Sequence, residues 1–139
     1  MSTTTSVIDR LRGRIGVDGP EVTAPVEAGH VKRFAEAIGD PNPRWNKEVP
    51  PTFLVALAPV SLHLAEAEEY GKEWLNGGNR FEYLVPVRVG ALITARGRVA
   101  DVYEKSGGSG NLLFIVFETD YTNQRGDLVA RLRGTMIRR

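Results

Sequence analysis

The chain has no cysteine. Disulfide frameworks, thiolate metal sites and cysteine nucleophiles are therefore excluded. Histidine is nearly missing too: His30 and His63 are the only two. A surplus of one charge is also lacking, since 18 basic and 17 acidic side chains leave a net charge of +1. Bulk charge thus gives no reason to expect nucleic acid or a membrane surface as a partner. Met1 to Ser6 are small and polar with no apolar run behind them, so the reading is no signal peptide, no transmembrane helix and a cytoplasmic location. There is no glycine-rich phosphate loop and no His/Cys cluster, so neither a cofactor nor a metal is expected.

What is present is the composition of one soluble domain. A chain of 139 residues is long enough for a real core. Residues 1–6 read as a disordered tail. Val7, Ile8, Leu11 and Ile15 form the apolar side of a short amphipathic piece, and Glu21 to Val26 reads as a first strand. From His30 to Ile38 the residues Val31, Phe34, Ala35 and Ile38 fall on one helical face. Gly39 stands where a left-handed C-cap belongs, and Pro41 and Pro43 forbid continuation. A second, mostly apolar helix is predicted between Thr52 and Tyr70, with Thr52 as its N-cap. Pro59 should kink it or split it in two.

The remainder reads as β. Gly77-Gly78 signals a turn. Arg80 to Val87 is a predicted strand with Phe81 and Tyr83 on one face, followed by a strand from Leu92 to Tyr103. The unbroken apolar run from Leu112 to Phe117 predicts a central strand covered on both sides. Leu128, Ala130, Leu132 and Met136 alternate with polar residues in a last strand. Four consecutive strands with short turns predict an antiparallel meander. Wrapping it around the apolar helix gives an α+β domain spanning residues 1–139.

Four segments carry a resemblance: Ala37 to Pro43, Pro50 to Leu54, Gly77 to Gly90, and Tyr121 to Gly126. Together they resemble the MaoC-like dehydratase/hydratase family, in the branch with the fatty-acid-synthase-type dehydratase N-terminal domain. The resemblance implies a single hotdog domain, an antiparallel sheet wrapped around a central helix. It implies reversible addition of water to an acyl thioester on coenzyme A or acyl carrier protein, with (R) specificity. It also implies a second hotdog subunit, in a homodimer or a heterodimer.

Such chemistry needs a base to activate water, an acid to protonate C2 and donors for the charge on the thioester oxygen. The family motif supplies an aspartate and, five residues later, a histidine. Here the aspartate is Asp40, Asn42 and Pro43 match, and Trp45 stands in the histidine position. An indole cannot exchange a proton near neutral pH. The substrate-binding positions map to Pro51, Thr52 and Phe53, where a backbone N–H would hold the thioester oxygen, and to Gly77 and Gly78. The linker Asn46 to Val49 is short for the family. The chain is similar in this to the non-catalytic subunits of mycobacterial (3R)-hydroxyacyl-ACP dehydratases.

Each of these residues also has a plain structural reading. Asp40 before two prolines is a typical turn aspartate that bonds its own backbone. Trp45 reads equally as a core anchor, and Arg131, Arg133, Arg138 and Arg139 as a solvated strand face. His63 replaces the missing histidine only if it faces Asp40, and His30 is the weaker candidate. Three functions stay open: a self-sufficient hydratase or dehydratase, a non-catalytic acyl-thioester-binding partner, and, more remotely, a hotdog thioesterase using Glu66, Glu68 or Glu69.

Overall fold

The computed structural model describes residues 6–58, 64–108 and 110–139. Helix α1 spans Val7–Arg12 and is capped by Ser6, whose Oγ accepts from the Asp9 amide at 3.3 Å. Ser6 therefore belongs to the helix cap, and the rest of the expected tail lies outside the described residues. Strand β1 (Asp18–Pro25) leads into α2 (Ala28–Ala37). Gly39 has φ +69°, as its cap position predicted. Its amide bonds Glu36 O at 3.1 Å and the Asp40 amide bonds Ala35 O at 2.9 Å. That pair of bonds is a Schellman ending, which fixes where Asp40 leaves the helix.

Among the described residues, the predicted helix from Thr52 to Tyr70 is two pieces. One is α3 (Phe53–Leu57) and the other a 3₁₀ turn at Ala65–Tyr70. Ala58 (φ −139°, ψ 71°) and Leu64 (φ −122°, ψ 85°) both have non-helical backbone. Pro59 and His63 lie outside the described residues. Thr52 is not the side-chain cap expected, since its hydroxyl makes no capping bond. Among the described residues no helix is long and apolar enough to cross a membrane.

Four further strands follow: β2 (Trp74–Tyr83), β3 (Leu92–Gly107), β4 (Gly110–Thr122) and β5 (Leu128–Arg138). They form one antiparallel sheet with β1, in the order β1-β3-β4-β5-β2. β4 is central, as its apolar run predicted. The simple four-strand meander is not what forms, because β2 pairs with β5 at the far edge. Gly77-Gly78 is a bulge inside β2 and no turn. Asn76 Oδ1 accepts from the Gly78 amide at 2.8 Å, and Gly78 has φ +133°, which glycine adopts freely. After β2 the chain crosses back to the opposite edge. It is held by Val49 N to Val87 O (2.9 Å), Val89 N to Lys47 O (2.9 Å) and Gly90 N to Val26 O (2.8 Å).

Side chains alternate across the sheet. The inner face buries Ile93, Ala95, Leu113, Ile115, Tyr121 and Ala130. One cluster joins Tyr121, Ala130, Val129 and Ile93 to Val31 of α2 and to Phe53 and Leu54 of α3. A second gathers Leu11, Leu64, Ala67, Val102, Leu113 and Ile115.

The outer face carries a cross-strand ladder of charges. Arg98 Nη1 meets Asp120 Oδ2 at 3.0 Å, and Arg131 Nε meets Asp120 Oδ1 at 2.8 Å. Burial alone would push the Asp120 carboxyl up. The hydrogen bonds and charges of Arg131 and Arg98 outweigh it, and its pKa lies below the ordinary carboxylate value. A depressed folded pKa contributes stability above the unfolded value of about 3.9, lost as pH falls through the folded value. Urea unfolding between about pH 5 and pH 2 checks this. The midpoint of the unaltered chain is expected to fall more steeply with acid than that of Asp120→Asn. Equal slopes would mean that Asp120 is not held ionised by the two arginines.

Candidate functional site

The segment after α2 is built by its own short polar side chains. Asp40 Oδ1 accepts from the Asn42 amide at 3.1 Å, and Asn42 Oδ1 accepts from the Arg44 amide at 3.0 Å. Pro43 then starts a 3₁₀ turn, Pro43–Asn46. The plain reading of Asp40 as a turn aspartate is thus realised, in a half-buried position. Trp45 packs its indole against the cluster that contains Phe53 and Tyr121. The guanidinium of Arg44 lies 6.0 Å from the Trp45 ring centre, and Trp45 Nε1 is buried without a hydrogen-bond partner.

Pro51, Thr52 and Phe53 lie together at the start of α3. Thr52 has φ +73°, the one positive value outside glycine among the described residues. Its amide donates to Tyr83 Oη at 2.7 Å, while the Phe53 amide donates to Pro50 O at 3.2 Å. Phe53 is fully buried and gripped from α2 by His30 at 4.8 Å and Phe34 at 5.5 Å, both edge-on. His30 is therefore a packing residue. It stands roughly 10 Å or more along α2 from Asp40, too far to share its proton.

Tyr83 is the residue that sequence reasoning did not assign to the site. The register places Val22, Ala95, Tyr121, Ala130 and Tyr83 in one row across the inner face. Ala130 stands between the two tyrosines in that row and is fully buried. Burial first, and the neighbouring Tyr83 second, push the Tyr121 phenol up to about 12. It stays a neutral hydroxyl at any physiological pH. Tyr83 itself is 47% exposed, and its ring stacks on Phe81 at 5.5 Å. Gly77 and Gly78 lie five to six residues along β2 from Tyr83, about 17–20 Å away.

The remaining candidates are occupied elsewhere. Arg131 pairs with Asp120, Arg133 with Glu118 at 3.4 Å and Arg139 with Glu73 at 3.0 Å. Arg138 Nε donates to Gly71 O at 2.7 Å, and its guanidinium lies 4.9 Å from the Trp74 ring centre. Glu66 pairs with Arg14 at 2.7 Å and Glu69 with Arg10 at 3.5 Å. Both belong to the 3₁₀ turn over the second cluster, remote from Thr52. A cleft of about 380 Å³ lies on that side, lined by Val7, Ile8, Glu69, Tyr70, Glu104 and Asn111. Its two carboxylates suit neither the phosphates of coenzyme A nor an acidic carrier.

One antiparallel sheet closed over a short apolar helix, with polar backbone groups at the helix entrance, defines a hotdog domain of the dehydratase/hydratase class. The chain belongs to the family described as FAS1-like, dehydratase domain region, which matches residues 14–132. It is 29% identical over 133 residues to a UPF0336 protein of Parafrankia sp., covering 83% of this chain and 85% of that one. The ChsH1-ChsH2 complex from Mycobacterium tuberculosis contains a chain of the same fold, with TM-score 0.79 and 15% identity, covering 95% of this chain and 88% of that one. The C-terminally truncated HadBC (3R-hydroxyacyl-ACP dehydratase) complex from the same organism gives TM-score 0.65 and 19% identity, covering 89% and 98%.

Proposed function

We propose that this chain is the acyl-thioester-binding subunit of a MaoC-like, (R)-specific hydratase or dehydratase, working with a second hotdog that supplies proton transfer. The observation that carries this reading is the state of the Asp40 motif. One Asp40 oxygen is spent on the Asn42 amide, and the histidine position maps to an indole locked in packing. An isolated carboxylate without a partner acid cannot both activate water and deliver a proton at C2. Pro51, Thr52 and Phe53 form the binding edge, with Gly77 and Gly78 further along β2. The acyl group arrives on coenzyme A or acyl carrier protein. Two further observations favour a partner. The β2 edge is exposed along almost its whole length and carries Trp74 and Leu75, both 39% exposed. The two structural relatives above are themselves two-component complexes by description.

The test is hydration of crotonyl-CoA and of a longer 2-enoyl-CoA by the purified protein, with Asp40→Asn alongside. The expected result is no turnover above buffer, together with saturable binding of the longer ligand. Turnover abolished by Asp40→Asn would instead identify a self-sufficient hydratase, and the binding-subunit reading would fall.

A further inference from the structure

We propose, resting on the acyl-thioester reading, that the hydrogen bond to the thioester carbonyl oxygen comes from the Tyr83 phenol, and that the Thr52 amide holds and polarises that phenol. The first observation is an occupied donor. The Thr52 amide already gives its hydrogen to Tyr83 Oη at 2.7 Å, and the next amide, of Phe53, is turned back on Pro50 O. Neither amide faces outward for a carbonyl. A phenol has one hydrogen to give as well as lone pairs to accept with. Because Tyr83 accepts from Thr52, its own hydrogen is left to point away from the backbone. Accepting one bond also strengthens the bond it donates.

The second observation is the strain that makes this contact. A β-branched residue at φ +73° is in an unfavourable left-handed backbone conformation, and the Thr52 hydroxyl makes no capping bond to offset it. What the unusual backbone achieves is the aim of the Thr52 N–H at Tyr83. The third is placement. Tyr83 lies on the inner face of the edge strand β2, its ring stacked on Phe81 and opposite Ala130 in the register. It is half-exposed, so a ligand lying along the Phe53 edge reaches its hydroxyl. The phenol thus extends the backbone donor outward by the width of one hydroxyl. That geometry suits a ligand whose carbonyl lies at the rim, with its reacting carbons presented outward toward a neighbouring subunit.

The probes are octanoyl-CoA and S-octyl-CoA, a thioether of matching length that lacks the carbonyl oxygen. Their Kd values are measured by calorimetry on the unaltered chain and on Tyr83→Phe, with thermal unfolding as the folding control. The unaltered chain is expected to prefer the thioester by roughly five- to tenfold, as one neutral hydrogen bond allows. Tyr83→Phe is expected to lose that preference and to bind the thioether unchanged. A preference kept or increased in Tyr83→Phe overturns the proposal, because the discrimination for the carbonyl would then not depend on the phenol. Equal binding of both ligands by the unaltered chain also overturns it, even if the variant fails to fold, and leaves the acyl-binding function standing. Binding of neither ligand removes that function and this inference together.

Discussion

Phe53→Ala is expected to destabilise the fold by about 3–5 kcal/mol, the range for deleting a fully buried aromatic ring. The ring ties three parts of the molecule together. His30 and Phe34, one turn apart on α2, both meet it edge-on, and Tyr121, Ala130 and Val129 of the sheet share its cluster. α3 has only five residues, and Phe53 and Leu54 are its two fully buried ones. So short a helix has little intrinsic stability, and its position depends on the packing of Phe53 and Leu54. A loss of this size is a large part of the total stability of a domain, about 5–15 kcal/mol. Urea and thermal unfolding would measure it, with Ile38→Ala as the comparison. Ile38 is 51% exposed and is expected to change stability by no more than about 0.5 kcal/mol. A Phe53→Ala cost near that of Ile38→Ala would mean the cluster does not hold α3.

Much of the scaffold was legible because local signals and burial agree there. The period of Val31, Phe34 and Ala35, ended by Gly39, predicted α2 and its left-handed cap. The apolar run around Ile115 predicted a central strand, and β4 lies between β3 and β5 with Leu113 and Ile115 fully buried. The failures share a cause, which is information held by distant residues. Gly77-Gly78 looks like a turn until Met136 and Thr135 of β5 pair across it and make it a bulge. Nothing local to β2 says that it joins β5 at the far edge. The apolar residues from Phe53 to Ala67 have a helical period, yet the backbone leaves the helix at Ala58, and the next described helical backbone is the 3₁₀ turn at Ala65–Tyr70. At the site, Asp40, Trp45 and Thr52 were legible only through resemblance to a family. Tyr83 was placed on one face with Phe81, as the stacked rings show, but its partner amide lies 31 residues away in sequence. No pattern within a strand reports such a contact.

Trp45→His is expected to bring hydration of crotonyl-CoA by the isolated protein about a hundredfold above the buffer rate, where the unaltered chain shows none, the lower end of what a placed general acid or base contributes. The turn that carries residue 45 is fixed by backbone bonds that the substitution leaves alone: Asn42 Oδ1 to the Arg44 amide, and Asn42 O to the Trp45 amide at 3.1 Å. An imidazole there would enter the same cluster edge as Phe53, on the side where the binding segment begins. The indole N–H that it replaces is buried with no partner, but both imidazole nitrogens need partners of their own, so that cost is not removed and packing is lost as well. Trp45→Phe separates the two effects. It keeps an aromatic ring, removes the unpaired donor, and is expected to stay within about 1 kcal/mol of the original stability with no gain in activity. Adding Asp40→Asn to Trp45→His should remove the gain, because the imidazole and the free Asp40 oxygen act on one water. A folded Trp45→His chain with no turnover would mean that residue 45 does not stand where the motif histidine acts. The absence of catalysis would then have to be sought in the closed Thr52–Tyr83 contact instead.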